Sequence, residues 1–279
     1  MSYILFDIGG TNTRVAVSED LKKYTDAVSF KTPRDFKEGI EAIVSAVKKL
    51  TDREIRGMAG GIRGTLDSEK KMLVHDNVLK GWIDQPLVKS LKNKLKTTVL
   101  LENDAAIAGL GEAHFGAGKD YEIVAYHTVS TGVGGAKIEN GVIDSYHVGF
   151  EPGHQILDID RTILGDDTIP TLENLVSGAS VEERTGIKPY EIPQSDAIWD
   201  QLANYLAHGL RNTILYWSPD VVVLGGSMIL GNPRILLSDI QKHVNVVMEG
   251  ETSNPLILDG ELGDLSGIHG GMALLAAEV

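Results

Sequence analysis

The chain has 279 residues, 42% hydrophobic, with 26 Lys and Arg against 39 Asp and Glu for a formal net charge of −13; this length suits one large domain or two modest ones, each with its own core. With no cysteine, disulfides, thiolate catalysis, iron–sulfur clusters and cysteine-ligated zinc are excluded, and a reducing, cytoplasmic setting is expected. The acidic excess serves solubility and argues against nucleic acid as a partner, which would need a basic face; no run approaches the ~18 apolar residues of a membrane helix, and Met1 to Asp7 lacks the basic region of a signal peptide.

Glycine is over-represented at 31 of 279, against an average of about 7%, and it clusters at element ends. Tyr3 to Phe6 reads as a strand, Asp7-Ile8-Gly9-Gly10-Thr11-Asn12 as a turn, and Thr13 to Val17 as the second strand of a hairpin. Phe36, Ile40, Ile43, Val44, Val47 and Leu50 form one helical apolar stripe. Buried strands follow at Gly57 to Ile62 and Thr97 to Leu101, the latter ending in polar residues that open an Ala-rich helix to about His114. Gly116-Ala117-Gly118-Lys119 is hinge-like, and beyond it Ile123 to Val129, the turn Ser130 to Gly135 and Ala136 to Ile138 repeat the hairpin unit. We therefore expect two related domains, 1–117 and 118–279. Asp158 to Pro170 is aperiodic and reads as a loop, Ile198 to Trp217 as an amphipathic helix and Asp220 to Leu224 as a strand. Strands alternating with helices indicate an α/β class.

A phosphate-binding turn needs backbone N–H groups that anionic oxygens can approach without Cβ interference, with a hydroxyl nearby. Gly9, Gly10, Thr11 and Asn12 supply these, and Asp7 suits a Mg²⁺ held partly through water. For one such turn alone, an ordinary hairpin with a capping Asp is the better explanation. The repeat at Thr131, Gly132 and Gly134 offers a second anion cradle, and neither turn has Rossmann or Walker spacing. Glu102-Asn103-Asp104 ends a strand; an N-cap accounts for one of these residues, leaving an aspartate able to take a proton from an attacking hydroxyl and an Asn to position it. Glu151 and His154, with Glu173, can bind the hydroxyls of a sugar, although a lone histidine is more often structural. Trp82, near Asn77, reads either as a core residue or as a wall of that site.

In this order the motifs resemble those of the ROK family of sugar kinases, repressors and open reading frames, within the actin-like and Hsp70 superfamily. The resemblance covers nearly the whole chain and implies a two-domain actin-like ATPase (ribonuclease H-like) fold with an interdomain cleft, the last helix, from Gly270-Gly271, packing back on the N-terminal domain. It implies Asp104 as general base; Asn77, Asn103, Glu151, His154, Glu173 and Gly61 as sugar contacts; Asp7, Gly9, Gly10, Thr11, Asn12, Thr131, Gly132, Gly134, Gly225 and Gly226 as contacts to ATP and its phosphates; and Mg²⁺ near Asp7. Family members are often dimers, so a homodimer is also implied. Many relatives carry a structural zinc on the histidine and three cysteines; those cysteine positions are Leu164, Asp166 and Thr171 here, so no zinc is expected. The expected activity is phosphorylation of a hexose or N-acetylhexosamine hydroxyl, the alternative being a catalytically weak sugar sensor of the same fold. The chain opens directly on its first strand, where family repressors carry a DNA-binding segment, which favours the kinase.

Overall fold

The computed structural model describes residues 1–147, 149–251 and 254–278. It divides into two compact units, Met1–Phe115 with Ser145–Gly149 and Asp264–Val279, and Gly116–Asp144 with Phe150–Gly263. The first unit contains β1 (Ser2–Ile8), β2 (Asn12–Ser18), β3 (Tyr24–Lys31), α1 (Phe36–Leu50), β4 (Ile55–Ile62), the small hairpin β5 (Thr65–Leu66) and β6 (Leu73–His75), α2 (Leu87–Leu95), β7 (Val99–Asn103) and α3 (Asp104–Phe115). The second contains β8 (Ile123–Val129), β9 (Val133–Glu139), β10 (Val142–Ile143), α4 (Leu172–Val176), α5 (Gly178–Thr185), α6 (Ile198–Trp217), β11 (Val221–Gly225), α7 (Ser227–Leu230), α8 (Leu237–Val247) and β12 (Leu256–Asp259). Helix α9 (Ser266–Ala276) then belongs to the first unit again. The chain thus leaves the first unit at Phe115 and visits it briefly at Ser145–Gly149, an excursion with no signal in the sequence.

The two units repeat one sheet order, β3-β2-β1-β4-β7 and β10-β9-β8-β11-β12. In each, an antiparallel hairpin on a glycine turn adjoins two parallel strands. Because side chains alternate along β1, Ile4, Phe6 and Ile8 face the core of α1 and Trp82, whereas Tyr3 and Leu5 pack with Ile268, Met272 and Leu275 of α9. Asp7 shares that second face. Helix α1 begins where the Asp35 carboxylate accepts the Glu38 amide at 3.0 Å and ends with Lys48 and Lys49 at its carbonyl pole, both favourable placements. Helices α3 and α9 meet backbone to backbone: a Cβ on Gly270 would stand 1.8 Å from the Ile107 carbonyl, and one on Gly111 2.2 Å from that of Ser266. The second core lies under α6, whose Leu202, Leu206, Leu210 and Ile214 pack with Val222 and Leu224 of β11. Among the described residues no helix is long and apolar enough to cross a membrane.

Candidate functional site

In the first unit, Ile8, Ile62 and Asn103 are in register at the carboxyl ends of β1, β4 and β7, the edge where ligands bind in open α/β sheets. The turn after β1 closes through Gly9 N–H to the Asn12 carbonyl at 3.0 Å. Thr32 braces it, donating its hydroxyl to the Gly9 carbonyl at 2.8 Å and its amide to that of Thr11 at 3.0 Å. The Gly10 and Thr11 amides have no hydrogen-bond partner among the described residues, which is the donor pair a phosphate oxygen would take.

Asp7 lies opposite Arg14 of β2 and Gly61 of β4. Burial, and next the charge of Asp104, push its carboxyl from 3.8 up to about 7. Arg14 opposes this from 3.5 Å, its guanidinium shared with Asp264 at 2.7 Å. Asp104, the first residue of α3, is half-buried and accepts the Ala105 amide at 2.9 Å. Burial raises its pKa, with Arg63 the main opposing charge.

Asn103 is the helix cap: its side-chain oxygen accepts the amides of Ala105 at 2.9 Å and Ala106 at 3.1 Å, and its amide donates to the Gly64 carbonyl at 3.1 Å. Gly61 is a packing glycine, where a Cβ would come within 2.7 Å of Ile107 and 3.2 Å of the Asp104 Cα. Asn77 is exposed. Trp82 is core, not a wall: it is 1% exposed, packs edge-on against Phe36 and donates its indole N–H to the Pro33 carbonyl at 2.9 Å.

In the second unit, Thr131 and Gly132 lie in the turn between β8 and β9, closed by Ser130 N–H to the Gly132 carbonyl at 2.9 Å. Glu173, expected among the sugar contacts, reaches this turn: its Oε2 accepts the Val133 amide at 2.7 Å, and a Cβ on Gly132 would stand 2.6 Å from that oxygen. One donor of the second cradle is therefore already taken by a carboxylate. Gly134 continues into β9 opposite Thr128. The turn Pro152–His154 rests on β9 because Gly153 lies against the Val133 carbonyl and Pro152 against Gly135. It presents Glu151 and His154 side by side and exposed, 3.9 Å apart. Gly225 ends β11 against the Tyr126 ring, and Gly226, with φ +89°, lies against the Val129 carbonyl, a conformation that only glycine adopts without strain.

The loop that lacks the cysteine ligands is organised by Asp158, whose carboxylate accepts the amides of Thr162, Ile163 and Leu164 at 3.0, 3.1 and 2.8 Å. These bonds hold its pKa down. Arg161 ties the other side, donating to the carbonyls of Asp166 and Thr168, and Thr171 caps α4 through the Asn174 amide. Among the described residues no three His, Cys, Asp or Glu side chains are grouped to hold a metal ion.

Sequence reasoning missed two clusters in the first unit. Buried Glu102 accepts the Asn103 amide at 2.9 Å, Lys70 Nζ at 2.5 Å and the Tyr146 hydroxyl, with Lys70 over the Tyr146 ring; the available signal was a glutamate ending an apolar strand. Arg63, one residue beyond β4, is held by buried Asp76 at 2.8 Å.

The ROK family model matches residues 3–278. A fructokinase of Lactococcus lactis subsp. cremoris is 28% identical, spanning 86% of this chain and 83% of that protein. An N-acetyl-D-glucosamine kinase of Mannheimia succiniciproducens is 29% identical, spanning 96% and 97%. A solved ROK hexokinase of Thermus thermophilus matches with a TM-score of 0.84 at 26% identity, over 100% of this chain and 99% of that one. The architecture is that of the actin-like ATPases, and the chain belongs to the ROK family.

Proposed function

We propose that this chain is an ATP-dependent sugar kinase that transfers a phosphoryl group to a hydroxyl of a hexose or N-acetylhexosamine. The observation that carries the reading is the pair of half-buried carboxylates, Asp7 and Asp104, near enough for one charge to raise the pKa of the other at the strand ends beside the glycine turn. Asp104 takes the hydroxyl proton as attack begins, and its raised pKa favours that acceptance. Two carboxylates that repel in a partly buried place fit a divalent cation, and Mg²⁺ needs only one or two of them alongside phosphate oxygens. Asp7 would hold it partly through water, where it would neutralise phosphate charge. The free amides of Gly10 and Thr11 receive phosphate oxygens, with Gly9 and Asn12 setting the turn; Thr131, Gly132, Gly134, Gly225 and Gly226 serve the nucleotide from the second unit. Glu151, His154 and Asn77 orient the sugar through exposed side chains, and Glu173 does so through the oxygen not bound to Val133. Asn103 and Gly61 act by fixing the backbone that carries Asp104. The reading keeps two domains, 1–117 and 118–279, with the last helix packing back on the first.

The test is a coupled assay with ATP and Mg²⁺ across glucose, fructose, mannose, allose, N-acetylglucosamine and N-acetylmannosamine. Sugar-dependent ADP release is expected. Sugar binding by calorimetry without ADP release would turn the reading to a sensor, and ADP release indifferent to sugar would turn it to a plain ATPase.

A further inference from the structure

We propose that Arg63 is a second catalytic residue, a fixed cation that contacts the transferring phosphoryl group between the Gly9-Gly10 turn and Asp104. The inference rests on the kinase reading above. Arg63 follows the last residue of β4, which lies between β1 with its glycine turn and β7, the strand that leads into Asp104. Its amide extends the ladder to the Ile8 carbonyl at 3.1 Å. Its side chain lies on the bare face of Gly10: a Cβ there would stand 2.7 Å from one terminal nitrogen and 3.1 Å from Cδ. A Cβ on Gly10 would have to displace this guanidinium, so the bare face of the glycine leaves it room.

Asp76 fixes the side chain. Its carboxylate is 4% exposed, already accepts the amides of Val78 at 2.8 Å and Leu79 at 2.5 Å, and takes only Nε of Arg63, at 2.8 Å. A bracing ion pair would close as a fork, both guanidinium edges on one carboxylate. Here both terminal nitrogens have no hydrogen-bond or ion-pair partner among the described residues, and the side chain keeps 30% exposure. Four N–H donors are thus pre-aimed beside two amides that also lack partners. Arg63 is also the foremost charge holding the Asp104 pKa down, so it lies close to the base electrostatically. In the step, the sugar oxygen forms a bond to the γ-phosphorus as the bond from that phosphorus to the bridging oxygen breaks. The hydroxyl proton passes to Asp104, ADP leaves with the electron pair, and Arg63 stays protonated throughout, stabilising the spreading negative charge.

The experiment pairs kinetics with equilibrium binding in Arg63→Ala, Arg63→Lys and Asp76→Asn. Arg63→Ala is expected to lower kcat ~10²-fold or more while sugar KM changes less than about threefold. Guanidinium ion at non-denaturing concentration should restore part of this turnover, with no gain in the unaltered enzyme. The acid limb of its kcat profile should move to higher pH, since Asp104 loses its main opposing charge. Calorimetry with adenylyl imidodiphosphate and with ADP needs no turnover: Arg63→Ala should weaken the triphosphate analogue ~10-fold and leave ADP within about twofold. Arg63→Lys should keep part of both effects, and Asp76→Asn should lower kcat less than Arg63→Ala. Equal weakening of both nucleotides, or a lost kcat with neither rescue nor a moved limb, would overturn the assignment. Absence of sugar-dependent turnover in the unaltered protein would defeat the kinase reading instead, and the nucleotide comparison would still decide Arg63.

Discussion

Asp7→Asn should stabilise this protein while abolishing its function. Burial and Asp104 move the Asp7 carboxyl from 3.8 to about 7, so at 1.36 kcal/mol for each tenfold, ionising it in the folded state costs ~4 kcal/mol at alkaline pH. The sign follows from proton binding. Below 3.8 both states hold the proton and nothing is lost. Between 3.8 and about 7 the unfolded chain releases it first, so stability falls as pH rises, and above 7 the full cost stands. His127 works the other way in the same range: desolvation lowers its pKa from 6.5 to about 4, so the unfolded chain takes a proton as pH falls through 6.5 and stability drops on the acid side. The unaltered protein alone can therefore give a nearly flat curve. The difference between it and Asp7→Asn cancels His127 and leaves Asp7 together with its coupling to Asp104. Urea unfolding at pH 4.5, 6 and 8 should give a variant advantage of ~1 kcal/mol at the lowest pH, growing to a ceiling of ~4 kcal/mol at the highest. The lost Arg14 contact, 3.5 Å long, subtracts little. A pH-independent difference, or a variant less stable at pH 8, would show that Asp7 is ionised in the fold at no cost.

Three further outcomes follow from individual contacts. Asp104→Asn is expected to lower turnover ~10²-fold or more with sugar affinity by calorimetry nearly unchanged; near-normal turnover would remove it as base. Gly132→Ala places a Cβ 2.6 Å from the Glu173 carboxylate, so Glu173 must leave the Val133 amide. Unfolding should show a loss of ~1–2 kcal/mol, and sugar KM should rise if Glu173 contacts sugar. Gly39→Ala drives a Cβ to 2.1 Å from the Trp82 ring, an overpacking of ~1–3 kcal/mol in the first core. Sugar KM should not move, because that ring is core; a rise in KM alone would restore Trp82 to the site.

Elements written locally were legible. A strand that stops at Gly9-Gly10 and resumes with alternating residues forms a hairpin from its own sequence, and the α1 and α6 stripes declare a buried face at 3.6-residue spacing. The repeat of the hairpin also exposed the duplication. Strand order was not legible, because β4 joins β1, and β7 joins β4, through partners distant in sequence. The visit of Ser145–Gly149 to the first unit is similarly silent: it is held by the Tyr146 hydroxyl on Glu102, and neither residue carries a periodicity that predicts the other.

The candidate site divides along the same physical line. Asp7 and Asp104 stand out because a carboxylate ending an apolar strand is unusual wherever the chain goes. Their charge states do not stand out, since each is set by residues on other elements: Asp104, Arg14 and Asp264 around Asp7, Arg63 and Asp76 around Asp104. Arg63 looks in the sequence like one more charge at a turn, and Asp76 like a loop aspartate. Only the 2.8 Å contact between them, with Gly10 bare beneath, converts two solvated residues into a directed cation. Asn103 shows the converse, a polar residue at the suspect strand end whose side-chain oxygen is committed to capping α3. Where a functional group competes with a local structural job, spacing cannot separate them, because both require the same residue type at the same strand end. The separation comes from counting which donors and acceptors remain after the fold has taken its share.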